Sequence, residues 1–118
     1  MALLSKAEIL AADDILTEVI EVPEWGGSVT IKAWTVAQAD SYGKLIMANH
    51  KDETFISRLR ETVVSMSIVD EDGKLMFNDK DMIALGKKSP AALNRVHKAV
   101  MALNKLQNED GEEASKND

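Results

Sequence analysis

The feature that most constrains the fold is a stripe of apolar residues in the segment 85–106, near the C-terminus. Ser89 is followed there by Pro90. This pair is typical of a helix start, because Ser caps free backbone N–H groups and Pro has no N–H to satisfy. Beyond it, large apolar residues recur at three- and four-residue steps: Leu93, Val96, Val100, Leu103 and Leu106. The spacing predicts a long helix with one buried face, around which the domain is organised.

The same segment is basic and rich in alanine. It has no Asp or Glu, and its basic residues are Lys87, Lys88, Arg95, Lys98 and Lys105. Three alanines widen the apolar stripe and would let a partner helix approach closely: Ala92, Ala99 and Ala102. One interpretation is that the cations are only the solvated flank of a packed helix. The other is a partner-binding surface, to which we assign Trp25, Arg95, Lys98, Met101 and Lys105.

Length and composition indicate one aliphatic domain with a charged end. The chain has 118 residues, of which 45% are hydrophobic and only 4% aromatic, so residues 1–107 suffice for a single globular domain. Residues 108–118 hold five acidic residues, one Lys and no apolar residue larger than Ala, which predicts a disordered acidic tail. The lack of Cys predicts no disulfide, and no apolar run approaches the ~20 residues of a membrane span.

Local signals in the N-terminal half predict two helices. Capping boxes at 5–8 and 35–38 each place Glu or Gln three residues after Ser or Thr, an arrangement that satisfies backbone N–H groups at a helix start. We expect Ile9 and Leu10 to pack the first helix against the body. The second helix should run to about residue 49, with five residues facing inward: Val36, Ala39, Tyr42, Leu45 and Ile46.

A β-hairpin is predicted between these two helices. The runs 16–22 and 29–34 are rich in β-branched residues, and the turn between them contains Pro23, Trp25 and a Gly-Gly pair. Trp25 therefore lies at the tip of the hairpin. Two interpretations of Trp25 remain open: it folds back over the strands, as amphipathic Trp often does, or it is an exposed anchor for a partner.

The rest of the chain completes a mainly helical fold. A helix is predicted over 53–67, a turn at Asp72-Gly73 between two short apolar runs, and a short helix over 80–85 capped by Asn78 or Asp79. The predicted fold class is therefore α+β, mainly α, with an N-terminal β-hairpin packed on a small helical bundle.

No pattern of catalytic or ligand-binding residues is found in the sequence. The segments 70–73 and 86–89 have the wrong spacing for a calcium loop and a phosphate loop. The two histidines, His50 and His97, have no second His at ligand spacing. We predict a non-enzyme with no metal and no cofactor. The net charge of −6 and the lack of aromatic residues near the basic helix argue against nucleic acid as a partner.

Two long stretches carry a resemblance to a known family. LLSKAEILAADDILTEVIEVPEWGGSVTIKAWT near the N-terminus and IVDEDGKLMFNDKDMIALGKKSPAALNRVHKAVMALN further on resemble tail assembly chaperones of long-tailed, lambda-like bacteriophages. The acidic tail is also similar to that family. The middle stretch, SYGKLIMANHKDETFISRLRE, matches it least.

The resemblance implies a non-enzymatic protein of the infected host cytoplasm that is absent from the mature virion. It would bind the tape measure protein, recruit tail tube subunits and self-associate. A longer form of the same protein would arise by ribosomal frameshifting. Two other interpretations stay open, a connector or adaptor component of the virion and an acidic regulatory protein. No membrane partner is expected.

Overall fold

The structure, a computed structural model, describes the backbone of residues 2–116 and the side chains of residues 2–109. The described residues form, in chain order, α1 (Lys6–Ala11), β1 (Thr17–Val22), β2 (Gly27–Lys32), α2 (Val36–Asn49), α3 (Glu53–Ser57), α4 (Leu59–Ser65), β3 (Ile68–Val69), α5 (Met82–Leu85) and α6 (Pro90–Lys116). Short 3₁₀ turns cover Pro23–Trp25 and Asp79–Asp81. The predicted fold class, α+β and mainly α, is confirmed.

The hairpin is part of a three-stranded antiparallel sheet in the order β1-β2-β3. Gly26, with φ +70°, supplies the left-handed residue that ends the 3₁₀ turn between β1 and β2. The turn at Gly73, with φ +78°, folds the chain back so that Val69 bridges Leu75. The sequence predicts both turns, but it does not predict that β3 adds to the free edge of β2, because that pairing joins distant segments.

The core lies between the sheet, α4 and α6. The five residues of α6 that face it are at most 5% exposed: Ala92, Leu93, Val96, Val100 and Leu103. Val22 and Ile31 from the sheet, and Val63 from α4, meet them and are fully buried. The predicted apolar stripe is therefore correct except at its end, where Leu106 is 50% exposed. At that point α6 has passed the edge of the sheet and uses Gln107 for polar contacts instead.

The predicted helix over 53–67 is divided in two. Its start is capped by the carboxylate of Asp52, which accepts hydrogen bonds from the next turn. The chain breaks at Arg58, with φ −106° and ψ 12°, and α4 ends at Ser65. Ser67 then turns the chain towards the sheet, because its carbonyl oxygen accepts the N–H of Lys32 at 2.9 Å. A helix continued to Ser67 would lose this link to β2.

Two helices are packed less closely than the sequence predicts. In α1, Ile9 and Leu10 are 57% and 75% exposed, so the expected docking of this helix is wrong. In α2, Tyr42 and Ile46 are half-buried, whereas the other three residues expected to face inward are exposed: Val36, Ala39 and Leu45. The reason is the same for both helices: among the described residues, no element lies over these side chains.

The last helix is assigned to Lys116 and so continues past the predicted domain boundary at residue 107. The side chains of residues 110–116, and residues 117 and 118 altogether, lie outside the described part of the chain. The disorder predicted for the acidic tail over 108–118 falls largely there, and it stays a prediction.

Candidate interaction surface

Two of the predicted partner residues, Trp25 and Arg95, come together at the tip of the hairpin. Trp25 is half-buried and packs against the core. The Nε–H of Arg95 donates one hydrogen bond that is shared by the two carboxylate oxygens of Glu24, the neighbour of Trp25, at 3.0 and 3.2 Å. This contact lowers the pKa of Glu24 and raises that of Arg95. Arg95 therefore ties the hairpin tip to α6, and Trp25 folds back on the body.

The folded-back Trp25 forms one wall of an open apolar groove of about 400 Å³, which we call the tip groove. The other lining residues come from the turn before α5, from α5 and from the link to α6: Phe77, Asp81, Ala84, Leu85 and Lys88. Asp81 is held in place because it accepts a hydrogen bond from the backbone N–H of Asn78. The walls are apolar, and the lining also includes one negatively charged residue, Asp81, and one positively charged residue, Lys88.

The other three predicted partner residues do not join this groove. Lys98 is exposed on the outer face of α6, beside Ala102. Lys105 is also exposed and pairs with Glu109 one turn further along, with 3.8 Å between Nζ and Oε1. Met101 is half-buried and packs against the core. The five residues assigned to one surface thus belong to three places: the hairpin tip, the outer face of α6 and the edge of the core.

The N-terminal segment, whose helix is predicted to pack on the body through Ile9 and Leu10, is exposed instead. Residues 2–12, here called the N-terminal arm, are exposed throughout. Four large apolar side chains of this arm are 57–97% exposed: Leu3, Leu4, Ile9 and Leu10. The arm is nevertheless ordered as a capped helix, since Ser5 and Glu8 exchange hydrogen bonds at 3.0 and 3.1 Å. An apolar segment with a formed helix and no cover is typical of an interaction site.

A second uncovered apolar surface lies on α2. Val36 and Met47 are 79% and 78% exposed and lie eleven residues, or about three helical turns, apart, on the same side of the helix. The opposite side holds α2 in place, because Gln38 donates a hydrogen bond from Nε2 to the Met66 carbonyl at 3.1 Å. The ring of Tyr42 also contacts that of Trp34, with 4.9 Å between ring centroids and an angle of 49° between the ring planes. We call the Val36–Met47 side the outer face of α2.

Polar side chains of α6 fasten the ends of the sheet. Asn104 accepts the backbone N–H of Trp34 at 2.7 Å through Oδ1, and Gln107 accepts that of Leu16 at 2.8 Å through Oε1. Gln107 also donates to the Trp34 carbonyl, and the indole N–H of Trp34 donates to the Ser67 hydroxyl. These contacts form a clamp that joins segments far apart in sequence, and they account for the polar interruption of the α6 stripe.

The titratable groups form no compact cluster in the described part of the chain. Among residues 2–109, no three His, Cys, Asp or Glu side chains lie close enough to hold a metal ion together. Partial burial lowers the pKa of His97, with a further contribution from nearby Arg60, and burial raises the pKa of Tyr42. None of the described helices is both long enough and apolar enough to cross a membrane.

Comparison with models of protein families, with curated protein sequences and with solved structures finds no match in any of the three. The resemblance to tail assembly chaperones therefore stays a prediction from the two sequence stretches that carry it.

Proposed function

We propose that the protein is a non-enzymatic tail assembly chaperone that binds a long, apolar helical client, the tape measure protein of a long-tailed bacteriophage. One observation carries the binding part of this proposal. Large apolar side chains stay uncovered on two ordered elements, the N-terminal arm and the outer face of α2, while the core beside them is well packed. The identity of the client comes from the resemblance.

The two uncovered surfaces suit a client that is long and aggregation-prone. A long helix with an apolar face is bound by laying that face against apolar side chains. Several copies, each with a few exposed aliphatic residues, would cover it by many weak contacts and release it during assembly. The net charge of −6 would keep the coated complex soluble.

The remaining partners in the proposal follow from the same function. A coat of several copies requires self-association, and a longer frameshifted form would share these surfaces and recruit tail tube subunits. The protein would act in the host cytoplasm and leave before the virion is complete. A connector or adaptor, by contrast, would remain in the particle.

The test is co-expression with the tape measure protein, with the soluble fraction of that client as the measurement. We expect the chaperone to raise the soluble client several-fold. Serines at two positions on the outer face of α2, Val36→Ser with Met47→Ser, should reduce this effect. A matched control on another exposed side of the same helix, Ala37→Ser with Ala48→Ser, should not.

Two results would contradict the proposal. In the first, the client is no more soluble with the protein than without it. In the second, the protein is present at stoichiometric amounts in purified virions, which would favour the connector interpretation.

A further inference from the structure

Strand β1 forms one edge of the sheet, whose order is β1-β2-β3. The N–H of Ala33 in the chain after β2 donates to the carbonyl of Leu16 at 2.8 Å, and bonded pairs alternate along an antiparallel ladder. The backbone N–H and C=O groups of Thr17, Val19 and Glu21 therefore point away from β2. No backbone hydrogen bond joins these three residues to any other described residue.

This free edge is open to another strand. Val19, at its centre, is 67% exposed, and Thr17 and Glu21 on either side are exposed as well. An uncovered edge strand offers a row of backbone donors and acceptors, and an added strand can satisfy all of them at once. The edge of β1 is therefore a docking site for an extended segment.

The N-terminal arm of the same chain does not occupy the edge, although it directly precedes β1. Residues 6–11 are held in α1 by the capping box of Ser5 and Glu8, and only residues 2–5 lie ahead of that helix. No backbone hydrogen bond joins residues 2–14 to β1 among those described. A strand long enough to pair with residues 17–21 would require α1 to unfold.

The edge is complementary to itself. When two copies of β1 pair antiparallel about a two-fold axis at Val19, the two Val19 residues lie opposite each other, and Thr17 of each copy lies opposite Glu21 of the other. Glu18 then lies opposite Ile20, so no acidic residue directly faces another. The register that places Glu21 opposite Glu21 is disfavoured by like charge. The sequence of β1 thus favours one symmetric register.

Helix α6 leaves room for a second copy beside this edge. It contacts β1 more extensively than β2. Its residue Arg95 bonds Glu24 beyond one end of β1, and its residue Gln107 bonds Leu16 at the other end. The middle of α6 therefore lies beside the middle of β1. The residues there include Ala99 and Ala102, on the same side of the helix as Arg95 at four- and three-residue steps, and such small side chains let a second α6 approach closely.

We propose that two copies of the protein pair through the free edges of their β1 strands, so that their two sheets join into one. The inference rests on the self-association included in the proposed function, and it names the surface that mediates it. The contact is isologous, because each copy contributes the same residues about a two-fold axis. Residues on the axis therefore face their own copies, and this property makes the register testable.

The first test uses Val19→Lys and Val19→Glu in the full-length chain. Each variant alone places two like charges opposite each other and loses the apolar pair, so we expect it to associate about tenfold more weakly than wild type. An equimolar mixture places Lys opposite Glu, and its two variants should associate about tenfold more strongly with each other than either does with itself. Sedimentation velocity measures association, and thermal melting followed by circular dichroism checks folding.

The matched controls are Ile83→Lys and Ile83→Glu on α5. Ile83 has the same exposed fraction as Val19, 67%, and the substitutions change the net charge equally. These controls should associate as wild type does, both alone and mixed.

The second test uses the absence of cysteine from the chain. Val19→Cys introduces a single thiol on the axis, where the two Cα atoms of a bonded antiparallel pair are about 5.5 Å apart, a separation that a disulfide spans. Mild oxidation should convert Val19→Cys to a covalent dimer at least about tenfold faster than Ile83→Cys, as measured on non-reducing gels.

The inference is overturned if wild type is monomeric, or if either folded Val19 charge variant associates as strongly as wild type. It is also overturned if the mixture associates no more strongly than its components, or if Val19→Cys forms dimers no faster than Ile83→Cys. The client-solubility assay is separate from these results. A protein that pairs through β1 but does not solubilise the tape measure protein would contradict the proposed function and leave this inference intact.

Discussion

Helices α1 and α6 begin in the same way and end up in opposite surroundings. Ser5 accepts the N–H of Glu8 at 3.1 Å, and Ser89 accepts that of Ala91 at the same distance. Yet α6 buries its apolar stripe from Ala92 to Leu103, while α1 buries nothing. The comparison teaches that a cap determines where a helix begins, whereas burial depends on which elements reach it in space.

The difference also separates two roles within one small domain. The region around α6 carries the stability of the fold, because the inner face of this helix is buried against the sheet and α4. The N-terminal arm and the outer face of α2 contribute little to the core, and under the proposed function their exposed apolar side chains contact other molecules. Mutations in the two regions should therefore have different consequences, and matched pairs of substitutions can test this.

The largest expected difference is between two leucines. Leu93→Ala in α6 removes a side chain that is 3% exposed and should lower the free energy of unfolding by about 2–5 kcal/mol, because it leaves a cavity. Leu10→Ala in the N-terminal arm should change it by less than about 0.5 kcal/mol. Urea denaturation at constant m-value measures both. Equal losses would mean that the arm is docked on its own body.

A smaller difference is expected between two asparagines. Asn104→Ala leaves the part-buried N–H of Trp34 without its acceptor and should cost about 1–3 kcal/mol. The Nδ2 group of Asn104 is buried and has no hydrogen-bond partner among the described residues. Because the substitution also removes this unfavourable group, we expect a loss in the lower half of the range of about 1–3 kcal/mol. Asn49→Ala removes only an exposed hydrogen bond to Leu45 and should cost less than about 0.5 kcal/mol. An Asn104→Ala variant with an unchanged free energy of unfolding would show that the clamp does not stabilise the fold.

The smallest expected effect depends on pH. Burial lowers the pKa of His97 below its usual value of 6.5, so the unfolded chain takes up the proton more readily than the folded chain. The free energy of unfolding should therefore fall as pH is lowered through about 6.5. His97→Gln should flatten this part of the pH profile. Identical profiles for wild type and His97→Gln would contradict the prediction.

Whether the sequence predicts a structural feature depends on how far apart in sequence the interacting residues are. Caps, the hairpin turn and the α6 stripe depend on residues a few positions apart, and the structure has them where the sequence predicts them. The edge pairing of β3 and the clamp depend on distant segments. The sequence therefore does not predict them, and the expected packing of Ile9 and Leu10 against the body is wrong because no described element lies over these side chains.

The candidate surface was harder to predict than the fold. The sequence predicts Trp25 as a candidate because it lies at the tip of the hairpin. The groove that it lines also needs Phe77 and Ala84, and nothing near these two residues in the sequence indicates that they share a site with Trp25. The basic residues of α6 lie close together in the sequence. Of these, Arg95 is engaged with Glu24, and Lys98 and Lys105 lie on a different face from the groove.

The clamp has a consequence for the order of events during synthesis. Its hydrogen bonds join Leu16 to Gln107 and Trp34 to Asn104, which are 91 and 70 residues apart. An isolated two-stranded hairpin is marginal in water, and contacts across such separations form late because a long loop must close first. We therefore expect that the hairpin is not stably folded on the ribosome until α6 has emerged. The whole domain should then fold in one step, after α6 has been synthesised.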